Sequence, residues 1–141
     1  MPLDQFDPDI INDFVTESSE LLESLDQQLV SLEQHPGDPD LLNCIFRALH
    51  TIKASSSFLA LGPLTEFAHA AEDALNALRK AEATVTPDTM DLLLRSVDVL
   101  RGQLDEVRGG AMPSEGPADL AAALGRIGGG GDQRAVKRDE E

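Results

Sequence analysis

Proline follows a helix-capping residue at three places in this chain, and this pairing constrains the fold more than any other feature. The pairs are Asp7-Pro8, Asp38-Pro39 and Thr86-Pro87. Aspartate and threonine side chains accept hydrogen bonds from the free amides at a helix start, and proline is favoured at the first helical position. We therefore predict that a helix starts at each pair. Gly62-Pro63 predicts a turn between the second of these helices and one further helix, and Gly109-Gly110 predicts the end of the last one.

Between these signals, apolar residues recur three and four positions apart, as they do on amphipathic helices. The four stripes are Ile11, Phe14, Leu21, Leu22, Leu25, Leu29 and Leu32; Leu42, Ile45, Leu49 and Ile52; Leu64, Phe67, Ala71, Leu75 and Leu78; and Met90, Leu93, Val97, Leu100, Leu104 and Val107. The second helix is predicted to run to about Ala60. No segment has the alternating pattern of a strand. These stripes and their short connections predict an all-α protein, an antiparallel up-down four-helix bundle over 7–108.

The chain changes character after Gly110. The segment PADLAAALGRI, residues 117–127, fits a short fifth helix, although its leucine density is lower than that of the four stripes. The glycine-rich and polar sequence over 128–141 is typical of a flexible linker or tail. Because a linker connects to something, we expect this chain to be the front piece of a longer protein. A stand-alone protein is the alternative.

Acidic residues outnumber basic residues by 26 to 11, which gives a formal charge of −15. Nucleic acids and anionic membranes would repel such a chain, so neither is expected as a partner. The single cysteine, Cys44, excludes an internal disulfide, and we expect it to act as a small apolar residue near the core. The acidic N-terminus has no signal-peptide pattern, and no apolar run approaches the roughly 20 residues of a membrane span. We expect a soluble, cytoplasmic protein.

The stretch LHTIKASSSFLAL, residues 49–61, is unusual for a core helix because it carries a histidine, a lysine and three serines. His50 lies about 100° round the helix from Leu49, which places it at the flank of the bundle. Lys53, Ala54 and Ser57 lie three, four and seven residues further on and share that flank. The two small residues leave room for another molecule to approach the imidazole closely.

The third helix carries His69 and Glu72, which are three positions apart and share a face. Reflection through the Gly62-Pro63 turn pairs position 50 in height with positions 72 to 74, so we expect Glu72 to reach the imidazole of His50. A carboxylate that accepts from one ring nitrogen fixes the tautomer and leaves the other nitrogen as an oriented nucleophile. Lys53 beside it would stabilise an arriving anion such as a phosphoryl group.

These residues resemble the histidine phosphotransfer (HPt) domain family, and most of all the HPt domains of chemotaxis kinases of the CheA type. The resemblance lies in His50-Thr51-Ile52-Lys53 and in His69-x-x-Glu72, and it covers about 7–108. It implies that His50 is the phosphorylated histidine, with Lys53, His69 and Glu72 around it. On the same helix, we expect Phe46, Ala54 and Ser57 to contact partners. The family usually has glycine where this chain has Ala54, which bears on partner specificity.

The resemblance also implies the partners. The chain has no GxxxxGK[ST] loop or other glycine-rich nucleotide motif, so another domain must deliver the phosphoryl group. We expect the ATP-binding domain of a histidine kinase as donor and the aspartate of a response-regulator receiver domain, similar to CheY or CheB, as acceptor. No cofactor is expected in this chain, with ATP and Mg²⁺ on the partner domains. The alternative from another class is a metal-binding bundle that uses His50, His69 and Glu72.

Overall fold

A computed structural model describes residues 6–129 of the chain, which form five helices. The helices are α1 (Pro8–Gln34), α2 (Pro39–Phe58), α3 (Gly62–Arg79), α4 (Pro87–Arg108) and α5 (Ala118–Ile127). No strand occurs within this range. The prediction of an all-α four-helix bundle with a short fifth helix is confirmed. Within residues 6–129, no helix combines the length and the apolar character that crossing a membrane requires.

The three predicted capping pairs all start helices. Asp7 accepts a hydrogen bond from the amide of Asp9 at 2.8 Å, and Asp38 accepts one from the amide of Asp40 at 3.0 Å. The Thr86 hydroxyl accepts from the amide of Thr89 at 3.1 Å. Each cap satisfies a donor that the helix cannot pair internally, and the proline that follows it has no such donor to lose.

The four apolar stripes meet along the bundle axis and form one core. Helix α1 packs against α2 and α4, and α3 packs against α2 and α4, so each helix neighbours the next one in the chain and α4 closes the ring. Leucines dominate the fully buried positions: Leu22, Leu25, Leu29, Leu32, Leu59, Leu61, Leu64, Leu75, Leu100 and Leu104. This ring leaves α2 and α3 with their outer flanks side by side, which is where the unusual polar residues lie.

The turn between α2 and α3 differs from the prediction. Helix α2 ends at Phe58, and the chain reverses through Ala60, whose φ of 60° is left-handed. The amide of Leu61 donates to the carbonyl of Ser56 at 2.9 Å, a bond that satisfies the end of α2. Gly62 and Pro63 therefore do not form the turn but begin α3, because proline is tolerated in the first helical turn.

Helix α5 packs against α3 and α4 and buries Leu120 and Leu124 in the common core. The segment before it approaches α3 closely, since a Cβ on Gly116 would collide with the Phe67 ring. The side-chain amide of Gln103 donates to the Ser114 carbonyl at 2.9 Å and holds the same segment in place. Of the tail predicted over 128–141, residues 130–141 lie outside the described residues.

Candidate functional site

His50 lies on the outer flank of α2, next to the buried Leu49, and its side chain is 57% exposed. Its Nδ1 lies 2.5 Å from Oε2 of Glu72 on α3. The predicted contact between His50 and Glu72 is therefore present. It joins the two helices at the height of His50 and leaves the other side of the imidazole open to solvent.

Glu72 lies on the inner side of the same contact, with only 5% of its surface exposed. Its second oxygen, Oε1, accepts a hydrogen bond from Nζ of Lys53 at 2.6 Å. Burial by itself would raise the pKa of Glu72, but the hydrogen bonds from Lys53 and His50, together with the charges of both groups, lower the pKa below its ordinary value of 4.5. The carboxylate is therefore ionised at neutral pH although it is buried.

An ionised carboxylate only accepts hydrogen bonds, so this geometry assigns the tautomer of His50. Nδ1 must carry the hydrogen that Glu72 accepts, and the neutral ring then keeps its lone pair on Nε2. That nitrogen belongs to a side chain that is more than half exposed. The arrangement presents one nucleophilic nitrogen in a fixed orientation, as a carboxylate does for other functional histidines.

Lys53 lies one turn beyond His50 on α2 and is bound to Glu72, with 26% of its side chain exposed. An ammonium has three donor hydrogens, and the bond to Glu72 uses one of them. The remaining donors are available to an anionic group that arrives at Nε2. The lysine thus stabilises the buried carboxylate in the resting site and adds positive charge beside the nucleophile.

His69 is on the same flank of α3 but faces a different partner. Its Nε2 lies 3.5 Å from a carboxylate oxygen of Asp73, and its side chain is 58% exposed. The metal set proposed from the sequence was His50, His69 and Glu72. The residues whose ligand atoms lie close together in the described part of the chain are instead His69, Glu72 and Asp73, within 4.8 Å of one another. Both oxygens of Glu72 already accept hydrogen bonds from His50 and Lys53.

Two of the small residues of α2 lie on the outer flank that carries His50, as predicted from their spacing. Ala54 and Ser57 are exposed, and Ser56 is buried with its hydroxyl 2.8 Å from that of Thr65 on α3. Beside Ala54, α1 and α2 enclose a groove of about 360 Å³. Its lining residues are Ile10, Asp13, Phe14, Glu17, Ala54, Ser55, Phe58 and Leu59. Phe58 is 75% exposed there, which is unusual for an aromatic ring and leaves an apolar surface one helical turn beyond Ala54.

Phe46 lies one turn before His50 and is half-buried. Its ring stacks on the imidazole with centroids 6.2 Å apart and an angle of 17° between the planes. The guanidinium of Arg79, in the last turn of α3, lies 4.0 Å from the centroid of the Phe46 ring. The Phe46 ring therefore lies beside the imidazole of His50.

Comparisons with known proteins show the family to which this chain belongs. Residues 9–110 match the family model described as "Hpt domain". The chain belongs to the Hpt domain family. The sensor histidine kinase CheAY of Helicobacter pylori is 53% identical over 100 residues, which are 71% of this chain and 12% of that protein. The chemotaxis protein CheA of Treponema pallidum is 35% identical over 122 residues, 86% of this chain and 15% of that protein.

A solved structure is similar as well. The CheA phosphotransferase domain from Thermotoga maritima superposes with a TM-score of 0.67 at 32% identity, and the match covers 70% of this chain and 93% of that one. The resemblance seen in the sequence is therefore confirmed. The chain spans only 12% and 15% of the length of these two curated relatives, so the match concerns a small part of each.

Within this Hpt domain, the structure brings His50, Lys53 and Glu72 together and leaves His69 with Asp73. The contact of His69 was foreseeable, because residues four apart on a helix are neighbours. The sequence reasoning missed Arg79, whose contact with Phe46 depends on two side-chain conformations on different helices. It was wrong about Cys44, which is exposed rather than packed near the core.

Proposed function

We propose that His50 accepts a phosphoryl group from the ATP-binding domain of a histidine kinase and passes it to an aspartate of a receiver domain. The observation that carries this proposal is the exposed imidazole whose Nδ1 donates to a buried, ionised Glu72. A solvent-facing histidine with a buried carboxylate partner has one nitrogen fixed as donor and the other free for attack. Membership of the Hpt family points the same way.

The chemistry needs two substitutions at phosphorus. In the first, the lone pair on Nε2 of His50 attacks the γ-phosphorus of ATP held by the kinase, the N–P bond forms, and the P–O bond to ADP breaks. The hydrogen on Nδ1 stays bonded to Glu72, whose negative carboxylate stabilises the positive charge of the phosphorylated ring. In the second, a carboxylate oxygen of the receiver attacks the phosphorus, the N–P bond breaks, and its electron pair returns to Nε2.

Electrostatic stabilisation in both steps is assigned to Lys53. Charge builds on the phosphoryl oxygens as the group passes between nucleophiles, and a nearby ammonium stabilises that charge. The amine has donors beyond the one used by Glu72 and is partly exposed on the flank of His50. Because Glu72 holds Lys53 in place before a partner binds, the lysine needs little rearrangement to act.

The partner surface is assigned to the flank of α2 around His50. Ala54 and Ser57 leave the approach to Nε2 unobstructed, and the groove beside Ala54 offers apolar surface that a partner can cover. In-line transfer needs both reacting atoms within a few ångströms of the phosphorus. Small exposed residues beside the imidazole meet that requirement. Because the phosphoryl donor uses ATP, we also propose that the protein is cytoplasmic.

The test is phosphorylation of this chain by histidine kinase catalytic domains with labelled ATP, followed by addition of receiver domains. We expect label that is labile in acid and stable in base, confined to position 50 and lost to a receiver when one is added. His50→Gln should abolish labelling. His35→Gln is the matched control, because His35 is an exposed histidine at the end of α1, well before His50 in the chain. Labelling that survives His50→Gln would refute the proposal.

A further inference from the structure

Arg79 differs from the three arginines of α4 in how its charge is held. Arg95, Arg101 and Arg108 each form ion pairs with aspartates. The polar partners of Arg79 in the described part of the chain are the amide oxygens of two asparagines, Asn43 at 3.0 Å and Asn76 at 2.8 Å. These amides orient the guanidinium without neutralising its charge.

The two asparagines come from different helices and aim the guanidinium at one target. Asn43 is on α2 and Asn76 is on α3. The guanidinium of Arg79 donates one hydrogen bond to each of them and is therefore held between the two helices. Its Cζ lies 4.0 Å from the centroid of the Phe46 ring. A cation over an aromatic face at this distance is attracted by the ring's quadrupole.

Phe46 lies between this cation and the nucleophile along α2. Asn43 is one turn before Phe46, and His50 is one turn after it, with its ring 6.2 Å away and nearly parallel. The hydrogen bond to Glu72 fixes one atom of the imidazole but leaves the plane free to tilt about that atom. A parallel aromatic ring on one side restricts this tilt, and it does so only while its own side chain is held.

We propose that Arg79 and Phe46 position the imidazole plane of His50 for in-line phosphoryl transfer, with Arg79 acting through Phe46. Arg79 is thus a positioning residue and contacts neither the phosphoryl group nor the imidazole. This inference rests on the proposed function, since it concerns the same nucleophile. It adds a second restraint to the one that Glu72 provides.

The test compares Arg79→Gln, Arg79→Lys and Phe46→Leu in the full chain as substrates of a histidine kinase domain. Glutamine removes the cation, whereas lysine keeps a cation over the ring. We expect Arg79→Gln to lower kcat about 10-fold, less than the ~100-fold cost of a 1 Å misplacement, with little change in KM. Arg79→Lys should restore most of kcat, and Phe46→Leu should match Arg79→Gln. Arg95→Gln is the matched control, because it removes an exposed arginine from α4 and should leave kcat unchanged.

A spectroscopic readout separates positioning from a general loss of structure. The Phe46 ring displaces the chemical shifts of the imidazole hydrogens of His50, so Arg79→Gln should move these shifts toward their values in Phe46→Leu. Urea unfolding of each variant checks that the fold remains. Unchanged shifts with unchanged kcat would overturn the inference, as would a rise in KM alone, which would make Arg79 a docking residue. The proposed function fails separately, if the parent chain takes no label at position 50.

Discussion

Replacing Glu72 by glutamine changes the charge of the site while keeping its volume. The carboxylate accepts hydrogen bonds from His50 and from Lys53, at 2.5 Å and 2.6 Å. A side-chain amide has one accepting oxygen and a donating NH₂ group, so it can serve only one of these donors. If the NH₂ group faces Nδ1 of His50, it stabilises the tautomer whose Nε2 carries the hydrogen. That nitrogen then has no lone pair with which to attack phosphorus.

The expected magnitude follows from the role of a group that orients a reactive side chain. Loss of such a partner typically costs 10- to 100-fold, so we expect Glu72→Gln to lower the phosphorylation rate by about that factor. At 1.36 kcal/mol per tenfold, this is about 1.4–2.7 kcal/mol in the barrier. The fold should survive, because His50 and Lys53 are exposed enough to be hydrated when the carboxylate is gone. We expect a loss of about 1–2 kcal/mol in the free energy of unfolding.

The assay measures kcat and KM for phosphorylation by a catalytic amount of kinase domain as the concentration of this chain is varied, together with the ¹⁵N shifts that report the tautomer of His50. Glu66→Gln is the matched control, since Glu66 is an exposed carboxylate on the same helix. We expect the control to behave as the parent, and Glu72→Gln to lose kcat with a shift toward the Nε2–H tautomer. A folded Glu72→Gln protein with the parent's kcat would refute the reasoning, because the carboxylate would then not orient the nucleophile.

Three further outcomes follow from the site. Lys53→Ala should lower the rate of phosphoryl transfer in the bound complex more than it weakens kinase binding. If binding weakens while the transfer rate in the complex is unchanged, Lys53 is a docking residue instead. Ala54→Gln should keep the melting temperature, because glutamine is a good helix former at an exposed position, but it should sharply slow transfer to the receiver. Ala54→Gly should transfer at least as well as the parent. Unimpaired transfer by Ala54→Gln would contradict the idea that the receiver approaches His50 closely at this position. The lowered pKa of Glu72 means that its ionised form stabilises the fold above the ordinary value of 4.5 and that this stability is lost as the pH falls through the lower folded pKa. The difference in unfolding free energy between the parent and Glu72→Gln should thus shrink below pH 4.5, and a constant difference in urea titrations would count against it.

The helices could be predicted because their signals are local. A capping side chain and the proline after it act within one turn, so Asp7, Asp38 and Thr86 each start a helix as expected. The turn before α3 was harder, because it depends on which residue adopts the left-handed conformation. Alanine rarely does so, and the glycine two residues later was the better guess from sequence alone. Ala60 takes it because the hydrogen bond from Leu61 to Ser56 closes the end of α2.

The contact of His50 with Glu72 was predictable for a different reason from the stack on Phe46. Two facing helices joined by a short turn have their residues at fixed relative heights, and this places position 50 level with positions 72 to 74. The Arg79 contact with Phe46 depends on side-chain conformations that the two asparagines select. Sequence spacing places Arg79 at the end of α3 but does not indicate which ring it covers.

The burial of Glu72 explains why the site lies at the seam of α2 and α3. A carboxylate in a core position is costly to ionise unless cations and hydrogen-bond donors pair with it. At this height of the bundle, His50 and Lys53 on α2 supply that pairing. The contact that makes the buried charge tolerable is therefore the same contact that orients the imidazole of His50. A substitution that loosens the seam must both destabilise the fold and misdirect the imidazole, whereas one on the outer flank, such as at Ala54, can alter partner access alone.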